Sequence, residues 1–438
     1  MGEKNKARET TTMDRVKWMV GLGFWVQGFR CFPWLGINFY LKDGLGVPAS
    51  ALQILQNSAN LPMVAKPLYG LLSDAVAIRG QRRLPYVALG ALLQAVSWLA
   101  IVLLPETMSI AFLTLFLLLG NLGASIAEVA NDAIVTEAGK QLQSPSMSGQ
   151  LQSFAMMSFA SAGALGNLLG GIAINLLSPR TMFLLFALLL LLQFFTTVAV
   201  PESSLNLPKK AGNSSKSSSI RKQLSELKIA LRKPEISRSI VWFSASYAVV
   251  PLLIGTMFFY QTQHLNLDPS VIGFSKVFGQ AALMAWSVAY NKQFKKTPAR
   301  KVLSMLQVTI ALLMVSDVLF VKGIYRDMGV SDSVYVVIFS GLLEALFQFK
   351  GLPFTVLMAQ LCPAGCEGSV MAFLMSALAL AIIVSGYLGV ALAAFMGITG
   401  TDFSGLTVGI LIQAACTLLP LCWSSWIPDT GRPEKKEE

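Results

Sequence analysis

Long apolar runs alternate with short polar segments along almost the whole chain. An α-helix needs about 20 mostly apolar residues to cross a bilayer, and twelve runs of this kind can be drawn. The pattern predicts twelve transmembrane helices, at residues 17–41, 49–73, 85–104, 108–138, 148–177, 181–200, 237–261, 269–290, 300–321, 332–359, 367–396 and 404–427. The predicted fold class is therefore an all-α membrane protein.

The composition agrees with many membrane spans. Of the 438 residues, 54% are hydrophobic and 13% are charged, whereas soluble domains carry about 25% charged residues. The net charge of +11 would favour a nucleic-acid partner if the basic residues formed a soluble domain. They lie mostly between the apolar runs instead, so we expect a lipid bilayer and no nucleic acid as the partner.

Reactive and metal-binding residues are sparse in this sequence. The five cysteines are scattered, mostly in apolar stretches, and the single histidine leaves little for a Cys/His metal site. No nucleotide-binding loop and no nucleophile triad is visible. These features argue against an enzyme, and we expect no cofactor and no metal.

A Ser- and Lys-rich segment divides the chain into two sets of six predicted helices. We predict a six-helix bundle over residues 1–200, a basic cytosolic linker over 201–235 and a second six-helix bundle over 236–438. Two halves built from three-helix repeats are typical of secondary transporters. The pattern thus favours a transporter, which we expect to be a monomer.

The distribution of Lys and Arg indicates the orientation in the membrane. With both termini in the cytosol, the outer loops contain only four of the 34 basic residues, which are Lys42, Arg180, Lys322 and Arg326. This asymmetry follows the positive-inside rule. About sixteen residues, several of them acidic, precede the first apolar run, which is unlike an organelle transit peptide. The sequence leaves the host membrane open.

A cluster of charges follows the second predicted helix. GLLSD at residues 70–74 and GQRR at 80–83 together are similar to the signature of the major facilitator superfamily in this loop, with three extra residues between the two parts. In that superfamily the motif latches the two halves together. The gating residues that the resemblance implies here are Asp74, Arg79, Arg82 and Arg83. The alternative interpretation is a capped helix end with charges that orient the chain.

Three further stretches resemble the folate–biopterin transporter family, a branch of the major facilitators. They are KPLYGLLSD at residues 66–74, EVANDA at 128–133, and CPAGCEG at 362–368 followed by AFLMS. The family often has Asp where this chain has Glu128. The resemblance, to the plant and cyanobacterial type, implies two pseudo-symmetric six-helix bundles that carry folates or pterins by alternating access.

Polar residues inside the predicted spans are the candidates for a substrate site. In this superfamily the first helix of each three-helix repeat lines the central cavity, and in three of these four helices polar residues recur at steps of three or four. Lys66 adds a charge inside the second helix, which costs about 2.5–3.5 kcal/mol unless it meets a partner or a wet cavity. The predicted substrate-binding residues are Gln27, Arg30, Trp34, Asn38, Lys66, Glu128, Asp132, Glu344 and Gln348.

The chemistry of these side chains suits a folate or a pterin. Glu128 or Asp132 can accept hydrogen bonds from the paired N–H groups at the edge of a pterin ring. Trp34 can stack on the ring, and Arg30 can bind the glutamate carboxylates of folate. Proton coupling requires a carboxylate whose pKa burial raises, and the candidates are Glu128, Asp132 and Glu344.

Two alternatives remain open at this point. Arg30 or Lys66 can simply pair with Glu128 or Asp132 and hold the first half together. The same fold can also carry another small organic solute, such as a sugar, a peptide or a drug.

The remaining charges within the spans are expected to be structural. Lys276 and Asp317 are expected to form a pair in the second half. Lys350 is expected to pair elsewhere or to reach the cytosol with its long side chain. Glu137, near the end of the fourth predicted helix, is expected to contact only Lys140.

Overall fold

The computed structural model describes residues 2–103, 109–141, 145–205, 225, 227–294, 297–362 and 367–429. Within these ranges the chain is helical and contains no β-strand, so the all-α prediction is confirmed. The helices of the first half are α1 (Gly2–Phe29), α2 (Cys31–Phe39), α3 (Ala49–Ala59), α4 (Lys66–Ala75), α5 (Leu84–Leu103), α6 (Ile110–Gln141), α7 (Pro145–Leu176) and α8 (Pro179–Ala199). Those of the second half are α9 (Pro234–Ala248), α10 (Ile254–Phe259), α11 (Pro269–Ala289), α12 (Ala299–Val321), α13 (Ile324–Asp327), α14 (Asp332–Tyr335), α15 (Gly341–Phe349), α16 (Gly351–Leu361), α17 (Glu367–Phe395) and α18 (Leu406–Leu418).

Nine helical segments of the described chain are long and apolar enough to cross a membrane. They correspond to nine of the twelve predicted spans. The other three, at residues 17–41, 49–73 and 237–261, are interrupted. The first breaks at Arg30, and the second contains a 3₁₀ turn, Leu61–Ala65, between α3 and α4. The third breaks between α9 and α10.

The chain divides into two compact units. The first comprises residues 1–39 and 65–222, and the second comprises residues 40–64 and 223–438. The second predicted helix is thus divided, with α3 in the second unit and α4 in the first. The predicted domain limits remain a prediction, and most of the predicted linker lies outside the described residues.

Glycines allow α1 and α7 to approach closely in the first unit. A β-carbon on Gly28 would lie 2.1 Å from the backbone oxygen of Phe159. On α7, a β-carbon on Gly166 would lie 3.2 Å from the backbone oxygen of Phe29. Small residues at a helix–helix contact let two backbones pack against each other, as is common in membrane proteins. This contact fixes the end of α1, where the predicted site begins.

In the second unit, a side-chain amide satisfies the backbone where α9 and α10 are separated. The break lies around Pro251, which cannot donate a helical hydrogen bond. Nε2 of Gln53 donates to the carbonyl of Leu252 at 2.7 Å, and its Oε1 accepts from the N–H of Gly255 at 2.7 Å. Because unpaired backbone groups are costly in a bilayer, Gln53 stabilises the interrupted helix.

Replacing Gly28 by Ala is expected to destabilise the protein by about 2 kcal/mol or more, because overpacking against a rigid backbone has costs of this size. The matched control is Gly163→Ala on α7, where a β-carbon would lie 3.8 Å from the backbone oxygen of Gly28. Thermal unfolding in detergent, followed by size-exclusion chromatography, compares the two variants. Equal melting temperatures would contradict the need for this close approach.

Candidate substrate site

The carboxylate of Glu128 joins two cations in the first unit. Its Oε1 lies 2.5 Å from Nη1 of Arg30, and its Oε2 lies 2.5 Å from Nζ of Lys66. Nη2 of Arg30 also donates to Oδ1 of Asn121 at 2.8 Å. The pairing that the sequence left open is therefore present, and it involves both cations at once.

Local structure places each of these groups. Arg30 occupies the turn between α1 and α2, and Lys66 is the first residue of α4. Pro67 follows Lys66 in the first turn, where a missing N–H is tolerated. Glu128 and Asn121 lie two turns apart on α6, so their side chains share one face. The break in the first predicted span and the start of α4 thus bring both cations to this face.

The electrostatics of the group follow from its burial. The side chains of Arg30, Lys66 and Glu128 are 16%, 27% and 9% exposed. A charge at the bilayer centre costs about 2.5–3.5 kcal/mol on insertion scales, and a close counter-ion offsets this. These three residues carry a formal charge of +1 by themselves, and the carboxylate of Asp132, one turn along α6, also interacts electrostatically with Lys66 and Glu128.

Two small cavities in the first unit adjoin the ion pair. The first is lined by Arg30, Trp34, Gln94, Ser97, Trp98, Leu117, Gly120 and Asn121. The polar and charged residues that line the second are Gln27, Arg30, Gln94, Glu128, Asn131 and Gln193. Amide side chains therefore dominate the polar surface beside the ion pair.

Sequence reasoning missed several of these residues. Gln94 and Ser97 lie on α5 and Gln193 lies on α8, the third and sixth predicted spans, which were not expected to line a cavity. A signal was present, because Gln193 is an isolated amide within the apolar stretch LLLLLQFF. A buried amide in such a run needs a partner or a cavity.

The other predicted residues of the first unit differ in position. Gln27 and Trp34 line the cavities, and Trp34 packs edge-on against Trp98 with 6.4 Å between ring centroids. Asn38 lines neither of these two cavities. Asp132 lies one turn beyond Glu128 on α6 with an exposed side chain, and it forms no ion pair within the part of the chain described.

The second unit carries Glu344 and Gln348 on one exposed face of α15. The two carboxylate oxygens of Glu344 lie 2.8 and 2.6 Å from Nζ of Lys276. The expected pair of Lys276 and Asp317 is therefore wrong. A glycine contact explains this, because a β-carbon on Gly279 of α11 would lie 2.9 Å from the backbone oxygen of Gly341, which brings α11 beside α15.

Asp317 has a hydroxyl partner instead of a cation. It is buried on α12, and its Oδ1 accepts a hydrogen bond from the phenol of Tyr335 at 2.9 Å. The same phenol lies 2.9 Å from Oγ of Ser316. The side chain therefore belongs to a small polar network within the second unit.

Lys350 is fully buried among neutral groups. Its Nζ lies 3.2 Å from Oγ of Ser246, 3.4 Å from Oε1 of Gln307, and 3.7 Å from the centroid of the Tyr247 ring. The expectation that it reaches the cytosol is wrong, and no carboxylate among the described residues pairs with it. Hydrogen-bond acceptors and a π-face take the place of a counter-ion.

The loop between α4 and α5 is organised around Arg83. Its Nη2 lies 2.5 Å from a carboxylate oxygen of Asp74 and 2.5 Å from one of Glu137. Burial acts to lower the pKa of Arg83, but the hydrogen bonds and charges of Glu137 and Asp74 outweigh it and raise the pKa above its ordinary value. The expectation that Glu137 contacts only Lys140 is wrong, since it faces Arg83 across the loop.

The start of α5 is capped by a residue that the sequence did not single out. The carboxylate of Glu202, which follows α8, accepts from the backbone N–H groups of Arg82, Arg83 and Leu84 at 2.8 to 3.1 Å. An anion is favourable at a helix N-terminus. Arg79 is exposed in the preceding turn, with a φ of 51°. Of the four predicted gating residues, Asp74 and Arg83 form the ion pair.

Part of the third resembling stretch lies outside the described residues, namely 363–366. Beyond it, Oγ of Ser376 on α17 donates to the backbone oxygen of Val64. This hydrogen bond lies within the second unit.

Replacing Glu128 by Gln is expected to destabilise the protein by about 3 kcal/mol, because it leaves two partly buried cations without the anion that they share. Glu344→Gln is the matched control, since the side chains of Glu344 and Lys276 are 51% and 34% exposed and such pairs contribute at most about 1 kcal/mol. Thermal unfolding in detergent compares both variants with the unmodified protein. A similar fall in melting temperature for both would contradict a special role of Glu128.

Comparison with known sequences gives consistent matches over nearly the whole chain. The model of the BT1 family matches residues 27–438. "Probable folate-biopterin transporter 7" of Arabidopsis thaliana is 59% identical over 97% of this chain and 95% of its own length. "Probable folate-biopterin transporter 8, chloroplastic" of the same plant is 47% identical over 96% of this chain and 77% of its own length. The "Folate-biopterin transporter" of Synechocystis sp. is 28% identical over 95% of this chain and 82% of its own length.

Solved structures of transporters share the fold. The nucleoside transporter NupG superimposes with a TM-score of 0.71 at 11% identity, over 94% of this chain and 99% of that chain. A D-xylose–proton symporter gives a TM-score of 0.69 at 15% identity, over 96% of this chain and 99% of the symporter chain. At such identities the likeness concerns the fold alone, and it confirms the expected major facilitator fold.

Proposed function

Because the chain belongs to the BT1 family, we propose that it is a secondary transporter of folates or related pterins that works by alternating access. It is a multi-pass integral membrane protein and not an enzyme. The names of its relatives and the rocking motion typical of its fold support the finer assignment. We further propose a monomer with both termini in the cytosol.

The double ion pair of Glu128 is the observation that carries this proposal. Arg30 and Lys66 already bind a carboxylate in the apolar interior, so their geometry suits a second carboxylate. A glutamate carboxylate of folate can take over the guanidinium of Arg30, which offers a planar fork of donors. Substrate binding then exchanges one anion for another and leaves no cation unpaired.

The remaining predicted residues take supporting roles in the proposal. The indole of Trp34, at the edge of the first cavity, stacks on the pterin ring. The ion pair of Asp74 and Arg83 controls gating.

Asp132 is the carboxylate that we propose for proton coupling. Glu128 has a cation at each oxygen and Glu344 is paired with Lys276, so protonating either would break an ion pair. Asp132 has no ion pair among the described residues and lies one turn from Glu128. It can therefore gain a proton without leaving a cation unpaired.

Uptake of radiolabelled folic acid into proteoliposomes tests the proposed function. An inward proton gradient is expected to drive accumulation, and unlabelled pterin is expected to compete. Protein-free vesicles, and vesicles treated with a protonophore, are the controls. Absence of uptake by protein shown to be folded would contradict folate transport and favour another small organic solute.

Replacing Asp132 by Asn is expected to abolish accumulation above the level reached without a gradient, because the side chain can no longer take up a proton. Counterflow of folate between equal concentrations is expected to persist, since the exposed side chain supports no ion pair. Glu344→Gln, assayed in parallel, is expected to keep its response to the gradient. A gradient response that survives in the Asp132 variant would assign proton coupling to another group.

A further inference from the structure

Gln193 on α8 is buried without a partner for its carbonyl-type oxygen. The residue is 2% exposed, and its Oε1 accepts no hydrogen bond from the described residues. It lines the second cavity. A buried acceptor that is left unpaired lowers stability, so such an atom in a native structure calls for a ligand, a water molecule or an ion.

A second unpaired acceptor lies in the same cavity. Oε1 of Gln27 on α1 is buried and also lacks a partner among the described residues. The carboxylate of Glu128 borders the cavity as well. The missing group must therefore supply at least two hydrogen-bond donors.

The charge around the cavity restricts what that group can be. Arg30 and Glu128 both line this cavity and already pair with each other, so neither charge calls for a charged ligand. A carboxylate could not pair with these two oxygens, because both are acceptors and a carboxylate has no hydrogen to donate. A small neutral group with two N–H bonds fits both restrictions, and an amino group on an aromatic ring is such a group.

We propose that Gln193 and Gln27 form the subsite that recognises the amino group of the pterin ring. This inference rests on the proposed function, which supplies a substrate with such a group. In the absence of substrate, a water molecule can occupy the position and donate to the same two oxygens. The amino group displaces this water and reproduces its hydrogen bonds.

The subsite adds α8 to the helices that are expected to contact the substrate. α8 is the sixth predicted span, outside the set of helices expected to line the substrate path. Specificity for a ring with an amino group thus follows from hydrogen-bond acceptors that nothing else satisfies.

Two variants on α8 separate recognition from stability. Gln193→Met removes the acceptor and keeps a side chain of similar length. Thr197→Val is the matched control, because Thr197 lies one turn away, is also 2% exposed and has an unpaired Oγ1, but does not line this cavity. Since each variant removes an unpaired buried polar atom, both are expected to melt at or above the temperature of the unmodified protein.

The test compares uptake of folic acid with uptake of an analogue in which a methyl group replaces the ring amino group. A neutral hydrogen bond corresponds to roughly a factor of five, so two of them predict a preference of about 25-fold for folic acid in the unmodified protein. The preference is expected to fall to about fivefold in Gln193→Met and to remain about 25-fold in Thr197→Val. Gln27→Met is also expected to lower the preference for folic acid to about fivefold. It provides a second test if the Gln193 variant does not fold.

The outcomes distinguish this inference from the proposed function. Unmodified protein that takes up neither compound overturns the proposed function and the subsite with it. Unmodified protein that takes up both equally, or glutamine variants that keep the full preference, overturn the subsite alone. In that case the cavity holds only water.

Discussion

One buried carboxylate, that of Glu128, allows the first unit to hold two cations in an apolar interior. Without it, the guanidinium of Arg30 and the ammonium of Lys66 would each lose the carboxylate oxygen that lies 2.5 Å away. Their three side chains come from three different segments, so the ion pair also ties those segments together. Because a single anion serves two cations, an anionic partner can take over one cation while the other stays paired with Glu128.

The interrupted helices serve this arrangement. A continuous helix through residue 30, or through Pro67, would present these side chains with the ordinary spacing of a helix face. The turn at Arg30 and the 3₁₀ segment before Lys66 change that spacing. Interruptions require partners for the freed backbone groups, and Gln53 shows in the second unit how a single amide supplies them.

The sequence was sufficient for the fold and for part of the site, and the difference has a physical cause. Apolar run length depends on bilayer thickness alone, so nine spans could be predicted directly. The stripe that includes Arg30 and Glu128 follows from helical spacing on single helices. Which charge meets which depends instead on helix–helix contacts, which is why Lys276 was assigned to Asp317 and not to Glu344. Gln193 was missed because the pattern of one helix does not show which cavity its neighbours enclose.

The place of Glu128 along the chain also bears on how the protein is made. Synthesis runs from the N-terminus, so Arg30 and Lys66 emerge from the ribosome well before α6 does. Each cation costs about 2.5–3.5 kcal/mol in the bilayer centre without a partner. The first two spans therefore gain stability in lipid when the fourth brings Glu128, which couples the integration of these three segments.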